Sequence, residues 1–232
     1  DVAIDSYYGE AAVVINYPIS GTSCAAPQTT DEGYQIGFST DVEGDAIYTA
    51  EMTQEEKYAA AEQAALGFFE AAGFTVEGGV LTAAPEGAKL SYEVIVPGDG
   101  TGDHPAFAIL TGAQESLAKL GMELVINDPA DSNVLRDALD AGTQELWTAA
   151  WGSTIDPDMY QVYHSSSVPG EGGSDSNHYH IRSEVLDELI IEARQSDDQN
   201  FRKAVYKQAL DELIDWAVEI PTYQRQNIVI FS

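Results

Sequence analysis

The chain has 232 residues and is strongly acidic, since 39 Asp and Glu residues against 10 Lys and Arg residues give a formal net charge of -29 at pH 7. A surface of this charge repels phosphates, which argues against binding to nucleic acid or to an anionic membrane surface. The hydrophobic content of 44% is enough for a core and excludes a disordered chain. The length fits one large domain or two small ones.

Cys24 is the single cysteine, so no internal disulfide can form, and we expect this thiol to be buried and inert. Residues 1–20 lack a basic region followed by an apolar core, and no apolar run approaches the ~18 residues of a membrane-spanning helix. We therefore expect neither a signal peptide nor a membrane span. The chain begins at Asp1 and not at methionine, which is typical of a mature or excised piece.

Residues 1–49 are irregular, with a predicted strand over residues 11–15 and a predicted loop over residues 18–27. Thr53 and Glu56 have the spacing of a capping box, which starts a helix that Gly73 ends. Apolar residues at steps of three and four predict the buried face of this helix, formed by Tyr58, Ala61, Ala65, Phe68, Phe69 and Ala72.

The middle of the chain alternates predicted strands and helices. The period-two pattern of residues 90–96 predicts a half-buried strand. Pro105 suits the first turn of a helix that Gly121 ends. A strand over residues 122–126, a short helix over 132–139 and a buried, central strand over 145–150 follow. This order predicts βαβ units with right-handed crossovers and parallel strands.

The stretch after this last strand offers the groups of a binding loop. Ligands of open α/β sheets lie outside the carboxyl ends of the strands, where polar groups face a cleft. Trp151 supplies a flat apolar face, and Gly152 allows a ligand to approach the backbone closely. Ser153 and Thr154 supply hydroxyls, and Asp156 supplies a carboxylate. The loop lacks a nucleophile with an adjacent base, so we predict binding and not catalysis. Asp156-Pro157 alternatively forms a turn that caps a helix over residues 158–164.

Residues 165–180 are rich in glycine and serine and predict a mobile loop near the cleft. Three histidines, His164, His178 and His180, suggest a second hypothesis, a metal-dependent hydrolase. The sequence has no H-E-x-x-H or G-x-S-x-G pattern to support it, and no phosphate-binding glycine motif. A third hypothesis is an extracellular interaction module, which would have an exposed apolar patch instead of a concave site.

Two packing helices are predicted near the end of the chain. The first begins at Ser183 and runs to about residue 194, and the second covers residues 201–218. Their predicted inward residues are Val185, Leu186, Leu189, Ile190 and Ala193 in the first helix, and Ala204, Val205, Ala209, Leu213 and Trp216 in the second. We interpret Arg202, Lys203 and Lys207 as a solvated face with local ion pairs. A final strand is predicted over residues 223–231.

Several motifs together resemble a known family. The binding loop contains Trp151-Gly152, Asp156-Pro157 and Asp158-Met159-Tyr160. It resembles the GW-x-x-D-x-x-DP loop of the family 5 extracellular solute-binding proteins, which are the substrate-binding components of peptide-type ABC transporters. The resemblance covers about residues 48–231. Its other segments are His104-Pro105, Leu120-Gly121-Met122-Glu123-Leu124, Leu186-Asp187, Arg202-Lys203-Ala204-Val205-Tyr206 and Ile220-Pro221-Thr222-Tyr223.

The resemblance implies an α/β fold, a periplasmic-binding-protein-like (type II) lobe with a mixed sheet flanked by helices. Residues 1–232 would be a single lobe, the second of a two-lobed protein, with residues 1–49 as an irregular segment leading into it. The implied function is oligopeptide binding for uptake by an ABC transporter, with a membrane permease as partner. It further implies no enzyme activity, no cofactor or metal, a monomer, and a place in the periplasm or on the outer face of the cell envelope, with a lipid anchor on the full-length protein.

In that family an aspartate three residues after the loop tryptophan binds the peptide amino terminus. Here Thr154 occupies that place, and Asp156 lies one residue closer to Trp151 than the aspartate of the family's DP pair usually does. The resemblance therefore carries over Trp151 as an apolar platform and Asp156 as a polar contact or a residue that forms the loop.

Overall fold

The computed structural model describes residues 7–34, 36–152 and 156–226 as a mixed α/β structure. The chain divides into two compact units. The first unit contains Asp1–Gly37, Leu139–Gly142 and Ala150–Ser232, and the second contains Phe38–Ala138 and Thr143–Ala149. The prediction that residues 1–232 form a single lobe stays a prediction.

The helices and strands follow the predicted order closely. They are β1 (Ala12–Val14), α1 (Gln54–Ala71), β2 (Thr75–Glu77), β3 (Val80–Ala83), β4 (Ser91–Ile95), α2 (Ala106–Lys119), β5 (Glu123–Asn127), α3 (Asn133–Ala141), β6 (Leu146–Trp147), α4 (Tyr160–Tyr163), α5 (Glu184–Arg194), α6 (Gln199–Trp216) and β7 (Tyr223–Arg225). Short 3-10 turns lie at Gly9–Ala11 and Ser165–Ser167.

The second unit contains a parallel sheet in the order β5-β4-β6, with Ser91 opposite Glu123 and Val94 opposite Leu146. This arrangement confirms the predicted parallel strands. The prediction of a buried central strand over residues 145–150 is wrong, because β6 is two residues long and lies at the edge of the described sheet, with Leu146 44% exposed. The central strand is β4, and β2 and β3 form a separate antiparallel hairpin.

The core of the second unit lies between α1, the hairpin and the loop after α2. The capping box of α1 is confirmed, since the Thr53 side chain accepts a hydrogen bond from the Glu56 amide while the Glu56 carboxylate accepts one from the Thr53 amide. The predicted buried face is partly wrong, because Tyr58 and Phe68 are each 49% exposed. The buried residues that pack together are Leu66, Leu81, Leu120 and Met122, with Phe69 partly buried against them.

The end of β4 is buried on both faces, since Val94, Ile95 and the next residue, Val96, are all buried. The period-two alternation predicted for this strand therefore does not hold at its carboxyl end. Two covered faces require apolar side chains at consecutive positions, as is usual in parallel sheets.

The first unit combines the β1–β7 antiparallel pair with α5 and α6, which pack against each other. Ser183 caps α5 as predicted, by accepting a hydrogen bond from the Leu186 amide at 3.2 Å. Of the predicted inward residues, Val185 and Trp216 are 56% and 46% exposed, so their assignment to the core is wrong. Ala204 is also exposed. Fully buried residues of these two helices include Leu186, Ile190, Ala193, Tyr206, Ala209, Leu210 and Leu213.

Two further expectations concern Cys24 and the membrane. Cys24 is exposed, contrary to the prediction, because the turn that contains it directs the neighbouring Ala25 and Ala26 into the interior instead. Within residues 7–34, 36–152 and 156–226, no helix is both long and apolar enough to cross a bilayer. Of the predicted strand over residues 223–231, β7 accounts for the first three residues, and residues 227–231 lie outside the described part.

Candidate functional site

Trp151 and Gly152 present an exposed surface on the first unit. The Trp151 side chain is 50% exposed, and a Cβ added to Gly152 would have no atom within 4 Å. An indole face and an accessible backbone are therefore adjacent, as predicted. Ser153 and Thr154, the predicted hydroxyl groups, lie outside the described residues.

Tyr163, Tyr179 and Glu219 form a hydrogen-bonded cluster in the first unit, in which Tyr163 is buried and the other two residues are partly buried. The Tyr179 hydroxyl donates to Glu219 Oε2, and the Tyr163 hydroxyl donates to the same oxygen at 2.9 Å. The two tyrosine rings stack with centroids 5.6 Å apart and an angle of 16° between their planes. Burial, reinforced by the nearby Glu219, raises the pKa of both tyrosine hydroxyls, so they stay protonated.

Asp156 forms an ion pair with Arg202 of α6. Arg202 is well ordered by its surroundings: its side chain is only 15% exposed, its Nε donates to the Ala193 carbonyl at 3.1 Å, and its guanidinium lies over the Tyr206 ring. The hydrogen bond to Asp156 raises the pKa of the Arg202 guanidinium. The Asp156 carboxylate therefore ties the loop to α6, which fits its predicted role as a residue that forms the loop.

The interpretation of Arg202, Lys203 and Lys207 as a solvated face with local pairs needs correction. Lys203 pairs with the distant Asp31 at 2.7 Å, and Arg202 pairs with Asp156 from another part of the chain. Only Lys207, which contacts Asp211 one helical turn later, forms the local type of pair within the described residues. Two of the three cations thus connect separate segments of the first unit.

Asp156 does not cap α4, since the N-cap of this helix is Met159, which makes no side-chain cap hydrogen bond. The Asp158 amide donates to the Asp156 carbonyl at 2.8 Å, and Asp158 Oδ1 accepts from the Tyr160 amide at 3.0 Å at the start of α4. Asp158 also pairs with Arg194 at 3.4 Å, and the Arg194 guanidinium lies 4.5 Å from the centre of the Tyr160 ring. One arginine from α5 and one from α6 therefore hold residues 156–160 against these helices.

The loop over residues 165–180 is anchored by two buried residues, whereas residues 170–175 between them are exposed. Its predicted mobility stays a prediction. Asn177 is fully buried, and its Nδ2 donates to the carbonyls of Tyr163, His164 and Ile181 at 3.1 to 3.2 Å. Ser167, also fully buried, donates to the Tyr160 carbonyl at 3.0 Å. A buried amide that joins three carbonyls holds both ends of the loop together.

His164 lies among groups that superficially match a hydrolase triad. Its Nδ1 is 2.9 Å from the Ser166 hydroxyl and 3.8 Å from Asp187 Oδ1. In a triad the nucleophile and the carboxylate contact opposite nitrogens of the ring, whereas here both face Nδ1. The arrangement therefore cannot activate Ser166 in the manner of a triad.

The other histidines give the metal hypothesis no support. Within the part of the chain that the structure describes, no group of three or more His, Cys, Asp and Glu side chains is arranged to hold a metal ion.

Comparison with known proteins gives matches at the level of structure. No family model matches the sequence, and no curated protein matches it either. Among solved structures, NikZ from Campylobacter jejuni in complex with Ni(L-His) matches with a TM-score of 0.66 and 20% identity, over 96% of this chain and 38% of that one. The oligopeptide-binding protein AppA from Bacillus subtilis in complex with a nonapeptide matches with a TM-score of 0.66 and 17% identity, over 96% of this chain and 39% of that one.

A mannohexaose-bound periplasmic oligopeptide-binding protein from Thermotoga maritima matches with a TM-score of 0.67 and 17% identity, over 97% of this chain and 38% of that one. The chain shares the fold of these solute-binding proteins. The predicted type II periplasmic-binding-protein-like α/β fold is thus confirmed. The chain spans well under half the length of each of these three proteins.

Sequence reasoning pointed to the Trp151 loop but missed the cluster of Tyr163, Tyr179 and Glu219. Tyr179 and Glu219 are 40 residues apart in the chain, and no local pattern connects them. Glu219 directly precedes the Ile220-Pro221 segment that carries part of the family resemblance, which was the one available signal.

Proposed function

We propose that this chain is the ligand-binding part of a solute-binding protein that captures short peptides for uptake by an ABC transporter. The observation that carries the proposal is the structural match over 96% of the chain to AppA, an oligopeptide-binding protein in complex with a nonapeptide. The role is binding without catalysis, outside the cytoplasmic membrane, with a membrane permease as the partner that receives the solute.

The Trp151 loop supplies the ligand contacts in this proposal. The exposed indole face of Trp151 packs against apolar parts of an extended peptide, and Gly152 lets the peptide backbone approach. Ser153 and Thr154 offer hydroxyls to its amides and carbonyls. Asp156, already paired with Arg202, keeps the loop in shape instead of holding the peptide amino terminus.

Enclosure of the ligand requires a second lobe, supplied by the rest of a longer protein. Closure of two lobes about a hinge would surround the solute and stabilise the conformation that the permease recognises. This chain alone would make part of the contacts. We therefore expect millimolar or weaker dissociation constants for the 232-residue chain, equivalent to about -4 kcal/mol or less favourable.

Nuclear magnetic resonance can detect such weak binding on the chain itself. The three tryptophans give three indole N–H resonances, which single Trp→Phe variants assign. We would titrate a pool of di- to hexapeptides, then mannohexaose and Ni(L-His) as probes of two other solute classes. Peptides should shift the Trp151 resonance in a saturable way, and the Trp216 resonance should not move.

Trp216 provides the matched control, because it is exposed to nearly the same extent as Trp151, 46% against 50%. Trp151→Ala should abolish saturable binding, whereas Trp216→Ala should leave it unchanged. A response to mannohexaose or Ni(L-His) alone would overturn the peptide assignment. If no probe shifts the Trp151 resonance at concentrations up to ~10 mM, the site is refuted, because the expected dissociation constant is in the millimolar range.

A further inference from the structure

An open groove of about 840 Å³ runs along one edge of the parallel sheet in the second unit. In the described part of the chain, β5 is the last strand on that side of the sheet. We propose that this groove docks an extended, basic segment of another protein, which adds to the sheet as a further strand. The proposal does not depend on the proposed function, because the Trp151 loop belongs to the first unit.

The pairing of β5 with β4 decides which backbone groups point into the groove. The Glu123 amide donates to the Leu90 carbonyl at 2.8 Å, so the backbone groups of Glu123 point towards β4. Neighbouring residues of a strand direct these groups to opposite sides, so those of Leu124 and Ile126 point away from β4. The consecutive residues 121–126 line the groove, whereas one face of a strand would contribute every second residue. The groove therefore follows the outer backbone edge of β5.

Helix α2 forms the other wall of the groove and shows that this edge accepts an amide. Gln114 Nε2 donates to the outward carbonyl of Leu124 at 2.6 Å, as a backbone N–H of an adjacent strand would. A carbonyl oxygen has two lone pairs, so a second donor can bind there as well. The helix residues of this wall recur at steps of four and three and are Phe107, Thr111, Gln114 and Ala118. An added strand would place every second side chain against them.

Charge selects the kind of segment that fits. The second unit contains 19 acidic and 4 basic residues. Glu123 is exposed and lines the groove, whereas Lys89 and Lys119 are already paired with Glu145 and Glu62. A second copy of this acidic chain would be repelled, and a segment rich in lysine and arginine would be attracted. An open groove does not enclose its ligand, which suits a segment of a longer chain.

Amide hydrogen exchange followed by nuclear magnetic resonance tests the proposal on the 232-residue chain. The probe is a seven-residue peptide of alternating lysine and valine, with acetylated and amidated ends that imitate an internal segment. At ten times its dissociation constant, the peptide should slow exchange of the Leu124 and Ile126 amides about tenfold. The Glu123 and Val125 amides, which point towards β4, should change little. Non-specific adsorption of a cationic peptide would not produce this alternation.

Two charge reversals separate the groove from the general acidity of the chain. Glu123→Lys should weaken binding of the lysine–valine peptide about tenfold, because one attraction is lost and one repulsion is gained. Glu77→Lys is the matched control, since Glu77 is also exposed on a strand of the second unit but does not line the groove. It changes the net charge equally and should weaken binding less than about twofold. Equal losses in both variants would overturn the proposal.

The exchange pattern gives further ways to overturn the proposal. Unchanged exchange of Leu124 and Ile126 at millimolar peptide would refute strand addition. Protection of these amides that rises with protein concentration alone would assign the edge to a second copy of this chain. Tighter binding of the same peptide with free ends would indicate a small solute instead of a protein segment.

Trp151→Ala keeps the two proposals apart. This variant should leave the protection of Leu124 and Ile126 unchanged, because the groove belongs to the second unit and Trp151 to the first. Loss of the protection in this variant would overturn the independent site at β5. Conversely, a failed test at β5 would leave the peptide titration of the Trp151 resonance unaffected.

Discussion

At the scale of single residues, Gly121 and Gly87 share a backbone angle but differ in their surroundings. Both belong to the second unit and have φ of +85°. A Cβ at Gly121 would lie 2.8 Å from the Leu81 carbonyl oxygen, whereas a Cβ at Gly87 would have nothing within 4 Å. Gly121 follows α2. The Leu81 backbone lies close to Gly121 because the Leu81 amide donates a hydrogen bond to the Leu120 carbonyl at 2.7 Å.

This pair separates backbone strain from steric overlap. Gly87→Ala should lower the free energy of unfolding by about 1–2 kcal/mol, the cost of the left-handed conformation for a residue with a Cβ. Gly121→Ala should cost roughly 1–3 kcal/mol more, because the new methyl group displaces the Leu81 backbone. Urea unfolding of both variants measures the difference. Equal losses would show that the Leu81 contact relaxes without cost.

At the scale of elements, Ser183 links two helices as well as capping one. Its hydroxyl accepts from the Leu186 amide at the start of α5 and donates to Glu212 Oε1 of α6 at 3.0 Å. Ser183 is 9% exposed. Asp198, the cap of α6, accepts from the Asn200 and Phe201 amides but is exposed to solvent. Both caps belong to the first unit.

We expect Ser183→Ala to destabilise the protein more than Asp198→Ala. Loss of an exposed cap costs about 1 kcal/mol, whereas loss of the Ser183 hydroxyl removes a cap and a buried partner of Glu212, for a total of roughly 2 kcal/mol. Chemical unfolding followed by far-ultraviolet circular dichroism gives both values. A smaller loss for Ser183→Ala would mean that its contact with Glu212 contributes nothing to stability.

Local signals made most elements predictable from the sequence. The capping box at Thr53 and the glycine after α2 depend on neighbouring residues only, and both were confirmed. The failures came from contacts between distant segments. Residues 145–150 have the composition of a central strand, but strand order in a sheet is set by packing, and β6 pairs only with β4 in the described sheet.

The same distinction applies to the candidate site. Trp151 and Gly152 were found because a loop after a strand is a recognisable local pattern. The pairing of Asp156 with Arg202 was not predicted, because the two residues are 46 positions apart in the chain. Periodicity also cannot tell which side of a helix the rest of the chain covers, and so Phe68 and Val185 were assigned to the core but are exposed.

At the scale of the whole molecule, the net charge of -29 leaves the carboxylates repelling one another. Even if every Lys and Arg neutralised one carboxylate, 39 acidic against 10 basic residues would leave 29 carboxylates without a basic partner. Such self-repulsion destabilises a compact state, and salt screens it. The Debye length falls from about 30 Å at 0.01 M to about 3 Å at 1 M ionic strength.

Thermal stability should therefore rise with ionic strength. We expect the unfolding midpoint to increase by several degrees between about 0.01 and 0.5 M sodium chloride. At ~2–4 °C per kcal/mol this corresponds to about 1–3 kcal/mol in the free energy of unfolding. Potassium chloride should have the same effect, since screening does not distinguish the two cations. A variant with Glu51→Gln, Glu86→Gln and Glu188→Gln, three exposed positions, should start with a higher midpoint at low salt and respond less to added salt. Differential scanning calorimetry measures both effects. A midpoint that is flat or falls with salt would contradict the argument, because it would mean that the compact state tolerates its charge without cost.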